Sequence, residues 1–346
     1  MRARDVPGLT LRGQPRPQNT ITDVEGVRVG HTTIVRGGDV RTGVTVIEPA
    51  AEPAWRAPLF AGCHRLNGNG ELTGLEWVRE SGTLTSTIAL TNTHSVGVVR
   101  DALVRAQARD RHPAELWWST PVVGETWDGM LNDVAGQHVT AEHVDEALAA
   151  AGTVVAEGNV GGGTGMICHG FKGGIGTSSR VVESGFTVGV LVQANHGRRE
   201  RLTVAGVPVG ERIDVAAPGT GGGSIIVVVA TDAPLLPHQC SRLAQRAGLG
   251  IARLGAGGEH FSGDLFLAFA TGNRGLPASD YGAASPLTVA LEMLSNTYIT
   301  PLFDAVVDAT EEAILNALLA AETMTGRNGI TAYALEADAL AEALAG

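Results

Sequence analysis

Three short runs limit the possible folds most: Phe186-Thr-Val-Gly-Val-Leu-Val-Gln-Ala, Ile225-Ile-Val-Val-Val-Ala and Asp264-Leu-Phe-Leu-Ala-Phe-Ala. Each has strand length and is almost continuously apolar. A strand with one wet face alternates apolar and polar residues, so a run without alternation is buried on both faces and needs a layer on each side. Helical spacing supplies those layers. Val98, Val99, Ala102, Leu103 and Ala106 predict a helix within His94–Asp110, and Thr140 suits the N-cap of another running to Ala151 before Gly152. Pro237 fits the first turn of a third helix. A long terminal helix is expected, with Asp308 and Glu311 at capping-box spacing and Ile314, Leu315, Leu318 and Leu319 on one face. Thr22–His31 reads as a half-buried strand, and strands with glycine turns continue to about Leu90. Residues up to about Pro17, rich in Pro, Gly and Arg, are expected to lie over the surface as an arm. No linker divides the chain, so residues 1–346 read as one layered α/β domain.

Composition excludes several classes. Hydrophobic residues make up 44% and charged residues 18% of the 346, enough for a large core. The 47 glycines follow no period and are read as turns and close backbone approaches. A net charge of −11, with no long basic run, argues against nucleic acid or an anionic membrane as partner. No segment has the apolar length to span a bilayer, and no apolar stretch follows the basic residues of Met1–Gly8, so no secretory signal is expected. Cys63, Cys168 and Cys240 are odd in number and far apart, which suits buried thiols in a reducing compartment. A cytoplasmic protein is the expectation. His138, His143 and His196 are spaced wrongly for a closed metal site and are expected to be surface or core histidines.

The chemically informative stretch is Pro218-Gly-Thr-Gly-Gly-Gly-Ser, which runs straight into the Ile225 strand. It can be a surface glycine loop leading into a core strand. It is also what self-cleavage requires: glycines let the backbone bend so that the Ser224 hydroxyl reaches the Gly223 carbonyl, while the strand holds the serine. Cleavage would leave Ser224 with a hydroxyl and a free α-amine of pKa roughly 7.7–8.0, able to act as its own general base. No Gly-Lys-Ser/Thr follows, which excludes a Walker-type phosphate loop. Gly161-Gly-Gly-Thr-Gly lacks the last glycine of a dinucleotide fingerprint and is expected to line the cleft or form a tight turn.

Along nearly its whole length the chain resembles the DmpA-type family of L-aminopeptidase/D-amino-acid esterases and amidases, which includes the β-peptidyl aminopeptidases. The resemblance runs through Asn19–Thr33, Asn67-Gly-Asn-Gly-Glu-Leu-Thr-Gly, Pro121-Val-Val-Gly-Glu-Thr-Trp-Asp-Gly and Gly170-Phe-Lys-Gly-Gly-Ile-Gly-Thr-Ser-Ser-Arg. It continues through Val190-Leu-Val-Gln-Ala-Asn-His-Gly, Gly223–Leu235 and Ser262-Gly-Asp-Leu-Phe-Leu-Ala-Phe. It implies an αββα sandwich of the DmpA/ornithine-acetyltransferase type. It also implies cleavage between Gly223 and Ser224 into chains 1–223 and 224–346 that stay together, with Ser224 as the nucleophile.

The resemblance assigns an oxyanion-hole role to Asn195, places Ser262 and Asp264 beside the nucleophile, and gives Glu125 the substrate's free ammonium. Two apart at a strand mouth, Ser262 and Asp264 are expected to point to one face and to orient the Ser224 amine and hydroxyl. Trp127 stands where the family's type member has tyrosine, which removes a hydroxyl and reshapes the pocket. The expected activity is hydrolysis of N-terminal L-, D- or β-aminoacyl amide, peptide or ester bonds, with short peptides and aminoacyl amides or esters as partners. No metal or organic cofactor is implied, and a homo-oligomer, commonly a tetramer in the family, is. A self-processing acyltransferase would share the nucleophile but pass the acyl group to an amine, and a noncatalytic scaffold or nucleotide-binding module would keep the fold uncut.

Overall fold

The computed structural model describes residues 1–219, 223–278, 281 and 285–346; Thr220, Gly221 and Gly222 of the glycine run lie outside the described residues. In chain order the first elements are strands β1 (Arg28–Arg36), β2 (Val40–Glu48) and β3 (Leu59–Arg65), helix α1 (Leu75–Ser81), and strands β4 (Thr83–Leu84) and β5 (Ile88–Asn92). Helix α2 (Val96–Arg109), strand β6 (Val122–Thr126) and helix α3 (Ala141–Ala149) follow. Next come β7 (Ile167–Cys168), β8 (Phe171–Lys172), β9 (Gly174–Val181), β10 (Thr187–Ala194) and the short helix α4 (Val209–Arg212). Strand β11 (Ile225–Thr231), helix α5 (Pro237–Arg253), strand β12 (Asp264–Ala270) and helices α6 (Thr300–Leu319) and α7 (Ala337–Ala345) follow.

Two sheets stack face to face: β1-β2-β5-β6, and β4-β3-β12-β11-β10-β9. Helices α2 and α3 cover the outer face of the first sheet, and α5 and α6 that of the second. This is the expected αββα sandwich, and the apolar runs show why it forms. In β11, Ile225, Val227 and Val229 pack toward the α5/α6 side. The intervening Ile226, Val228 and Ala230 pack between the sheets with Ile88, Leu90 and Val122. Period-2 alternation between two dry faces leaves no place for a polar residue, and burying each such side chain contributes about 1.5–3 kcal/mol.

The N-terminal arm differs from expectation. Ala3, Val6 and Leu9 are buried in the core shared with α6, because Arg4 and the fully buried Arg180 both pair with Glu312 of α6, at 2.9 and 2.6 Å. A carboxylate sealed in the interior needs its partners, and removing one costs about 3–5 kcal/mol. The long helix also begins earlier than its capping-box spacing indicated. Pro301 stands in its first turn, and Asp308 and Glu311 lie within the helix, where both pair with Arg253. Thr22–His31 is not one strand: residues 21–23 form a 3-10 turn and β1 starts at Arg28. The helix after Gly74 and the closing helix α7 had no separate sequence expectation. Among the described residues no helix is long and apolar enough to cross a membrane.

Candidate active site

Strand pairing brings the candidate residues to one end of the larger sheet. Ala194 of β10 pairs with Ile225 of β11, and Ile225 pairs with Asp264 of β12. Asn195, Ser224 and Asp264 therefore sit at the same end of three adjacent strands, although they are far apart in sequence. Alternation puts Ser224 on the Ile226 face and Asn195 on the Leu191 face, both toward the smaller sheet. That sheet contributes β6, which carries Glu125 and leads to Trp127. Between them lies a cleft of ≈ 470 Å³, lined by Gly70, Glu71, Thr93, Glu125, Trp127 and Ser224 among others.

Ser224 is nearly buried, and its Oγ accepts a hydrogen bond from the Gly263 N–H at 2.9 Å. Its carbonyl accepts from the Asn195 N–H at 3.1 Å. Gly223 has no room for a side chain: a Cβ there would lie 1.7 Å from the Asn195 carbonyl oxygen and 2.9 Å from Asn195 Nδ2. The Cα of Gly223 is thus packed closely against Asn195. Asn195 is held at both ends of its amide, with Oδ1 accepting from the Ile167 N–H at 2.7 Å and Nδ2 donating to the Trp127 carbonyl at 2.9 Å. The second Nδ2 hydrogen remains for another acceptor.

Ser262 Oγ lies between the Gly223 carbonyl oxygen and Asp264 Oδ1, the latter at 2.5 Å. A hydroxyl carries one proton, so it cannot donate to both. Burial pushes the Asp264 carboxyl up to about 6, against the lowering effect of hydrogen bonds from Ser262, the Ile225 backbone and Asn67. When protonated, Asp264 donates to Ser262, which then donates to the Gly223 carbonyl; when ionised, it accepts the hydrogen bond of the Ser262 hydroxyl. Asp264 thus reaches the site through Ser262 and the Ile225 backbone, not by direct contact with the Ser224 hydroxyl. Asn67 clamps the same loop, donating to Asp264 Oδ2 at 3.1 Å and accepting from its N–H at 2.5 Å.

Glu125 is buried at the cleft wall, where Oε1 accepts from the Glu71 N–H at 2.9 Å and Oε2 accepts from the Thr93 hydroxyl. Burial raises its pKa, opposed by those hydrogen bonds. Trp127 leaves 41% of its surface exposed at the cleft. Thr93, Asn67 and Gly263 escaped notice as individual residues, although Asn67 and Gly263 lie inside motifs that were legible. The glycines at 161–163 form a buried 3-10 turn and do not line the cleft. His138 pairs with Asp133 at 3.1 Å, His143 packs against its own helix cap, and His196 is a core residue. Cys168 and His169 approach His196, their ligand-type atoms all within 4.8 Å, a cluster hidden by the 28-residue gap in sequence.

A serine that opens a central strand of an αββα sandwich, beside a cleft with a buried carboxylate, defines a serine hydrolase of the N-terminal-nucleophile kind. Peptidase family S58 matches residues 19–332, and the chain belongs to it. It is 48% identical over 358 aligned residues to a β-peptidyl aminopeptidase, BapA, of Sphingosinicella microcystinivorans, covering 95% of this chain and 88% of that one. Among solved structures, a Burkholderia sp. β-aminopeptidase matches at TM-score 0.95 and 57% identity, covering 100% of this chain and 98% of that one. The L-aminopeptidase D-Ala-esterase/amidase of Ochrobactrum anthropi, described as a prototype serine aminopeptidase with a variant of the Ntn hydrolase fold, matches at TM-score 0.92 and 44% identity, covering 99% and 98%. The chain is an aminopeptidase/amidase.

Proposed function

We propose that Ser224 is the nucleophile of both self-cleavage and turnover, and that the substrates are short peptides and aminoacyl amides or esters with a free N-terminal ammonium, β-aminoacyl ones included. The observation that carries this reading is the convergence of Ser224, with its Oγ fixed by Gly263, on a cleft whose far wall is the buried carboxylate of Glu125. In the precursor, Ser224 Oγ attacks the Gly223 carbonyl carbon. The C–N bond breaks as the hydroxyl proton passes to the departing amine, and water hydrolyses the resulting ester to a Gly223 carboxylate. While Asp264 is protonated, the Ser262 hydroxyl donates to the Gly223 oxygen and polarises that carbonyl. The products are chains 1–223 and 224–346 of a single domain.

In turnover, Glu125 holds the substrate ammonium and Thr93 holds Glu125. The Ser224 amine takes the hydroxyl proton as Oγ attacks, and Asn195 Nδ2 donates to the oxyanion. The proton then leaves with the amine product, and water releases the acyl group from Ser224. The likeness to two β-aminopeptidases supports the β-aminoacyl assignment. N-terminal sequencing of the purified protein, with a panel of L-, D- and β-aminoacyl p-nitroanilides, tests the proposal. A second N-terminus reading Ser-Ile-Ile-Val and release of free amino acid are expected. An active but uncut chain overturns the mechanism, and diversion of the acyl group to added amine in preference to water would make the enzyme a transferase.

Asp264→Asn separates positioning from capping. Above about pH 6 Asp264 is ionised, and a nearby negative charge favours the protonated Ser224 amine. Removing it is expected to lower the midpoint of the rising kcat/KM–pH profile and to slow turnover. An unchanged midpoint and rate would make Asp264 a structural cap.

The assembly is proposed to be a homo-oligomer. Leu287, Val289, Leu291 and Met293 project from an exposed, irregular segment, with Leu287 101% exposed. Such a row on a chain of this size marks a contact surface, and light scattering that reads one chain's mass would refute it. The three free thiols fit a cytoplasmic, reducing setting.

A further inference from the structure

Of the 25 Lys and Arg residues, Lys172 is the sole lysine. Arginine serves at every other basic position, mostly toward solvent, whereas Lys172 is fully buried. Among the described residues it forms no salt bridge. Its Nζ donates to three carbonyls, of Met166 and Gly173 at 2.8 Å each and of Gly163 at 3.3 Å. A compact ammonium has three donors arranged for three convergent acceptors, and a planar guanidinium cannot take its place there.

The Met166 carbonyl belongs to the same peptide unit as the Ile167 N–H. That N–H donates to Asn195 Oδ1 at 2.7 Å, and the carbonyl also accepts from the Gly173 N–H at 2.9 Å. We propose that Lys172 is a positioning residue for the oxyanion donor: its charge, acting through the Met166–Ile167 peptide, orients and polarises Asn195. A cation on a peptide carbonyl draws electrons from the amide and makes its N–H a stronger donor. The stronger bond to Oδ1 holds the Asn195 amide in one orientation and makes its Nδ2 hydrogens better donors at the end beside Gly223. The inference rests on the role proposed above for Asn195 and extends it to a residue that does not touch the cleft.

The charge state of Lys172 then bears on rate. Burial lowers its pKa to about 7, while the neighbouring Cys168 and Asp128 act to raise it. The other charged or titratable groups near it are His196, against Cys168, and His169, against His196. Loss of the proton removes the polarising charge, so kcat/KM is expected to fall on the alkaline side as Lys172 deprotonates. This is opposite in sign to the rise caused by deprotonation of the Ser224 amine.

A single lysine makes the test direct, since lysine labelled at Cε with carbon-13 gives one side-chain resonance. Its midpoint in the mature wild type should coincide with one limb of the bell-shaped kcat/KM profile, the lower limb where it lies below the midpoint of the Ser224 amine and the upper limb where it lies above. Saturation with an aminoacyl boronic acid, which forms a tetrahedral anion on Ser224, should raise that midpoint in wild type and leave it unchanged in Asn195→Ala. Lys172→Met should lower kcat by roughly 10- to 100-fold, within the range for a weakened oxyanion donor, with KM within about threefold and the alkaline limb gone. In the Asn195→Ala background it should cost little more. A midpoint unmoved by the boronate in wild type, or wild-type kcat in Lys172→Met, overturns the inference. If Lys172→Met does not fold, the labelled wild type and Asn195→Ala still decide. Full activity of Asn195→Ala would instead overturn the underlying assignment of the oxyanion donor.

Discussion

Ser224→Ala is expected to give a single folded chain of 346 residues with no measurable aminopeptidase activity. The hydroxyl is the attacking atom in both reactions, so one substitution removes both. The change is small for the fold. It leaves the Gly263 N–H without its acceptor, a loss of about 1–3 kcal/mol against a typical stability of roughly 5–15 kcal/mol. It is large for the chemistry, because removing a catalytic nucleophile costs on the order of 10⁴-fold or more in kcat. A denaturing gel shows the intact chain, thermal unfolding checks the fold, and a continuous anilide assay reads the rate. Two fragments from this variant would place the cleaving group elsewhere, and activity above a few per cent of wild type would remove Ser224 from the turnover mechanism.

What local sequence can express, it expressed well. The three apolar runs became β10, β11 and β12 because burial on both faces writes itself into consecutive residues. Thr140 precedes α3 and Pro237 opens α5 because helix ends have local chemistry. Local patterns misled where the partner is remote. Asp308 and Glu311 have the spacing of a cap, but that spacing also serves two carboxylates facing Arg253 on another helix. The arm up to Pro17 has the composition of a surface segment, yet Arg2 and Arg4 reach Glu157 and Glu312, 155 and 308 residues away. In the site, the Gly223–Ser224 junction stood out locally as a self-cleavage candidate beside the plainer reading of a glycine loop entering a core strand, and the family resemblance decided between them. Asn195 and Glu125 needed the family resemblance, because only the pairing of β10 with β11 brings the first to Ser224, and only the stacking of the two sheets brings the second. Thr93 and Lys172 act through hydrogen bonds to residues 32 or fewer positions away, but across turns that no periodicity encodes.

Glu125→Ala is expected to lose most activity on free aminoacyl amides while the Gly223–Ser224 bond is still cut. Glu125 is a carboxylate in a largely dry wall, and burial already raises its pKa. An arriving ammonium stabilises the ionised form, and taking away one member of such a buried pair costs about 3–5 kcal/mol, or roughly 10²- to 5 × 10³-fold in kcat/KM at 1.36 kcal/mol per tenfold. The precursor presents a peptide bond and no ammonium at this position, so self-cleavage has no need of the carboxylate. The pH dependence follows with a definite sign. Because the folded pKa is raised, Glu125 takes up a proton at higher pH than an ordinary glutamate, and ammonium binding is lost as pH falls through that value. Below the rise set by the Ser224 amine, kcat/KM should therefore show a second acid limb, Glu125's, lying above the usual carboxylate range in wild type. It should be absent from the already weak Glu125→Gln, whose amide does not titrate. Thr93→Val, which removes one hydrogen bond to the carboxylate, should shift that limb further upward. Measuring cleavage on a gel and kcat/KM from pH 4 to 9 for the three variants separates the roles. Equal loss of cleavage and turnover in Glu125→Ala would mean that the residue supports the fold, and undiminished turnover would mean that the ammonium is bound elsewhere.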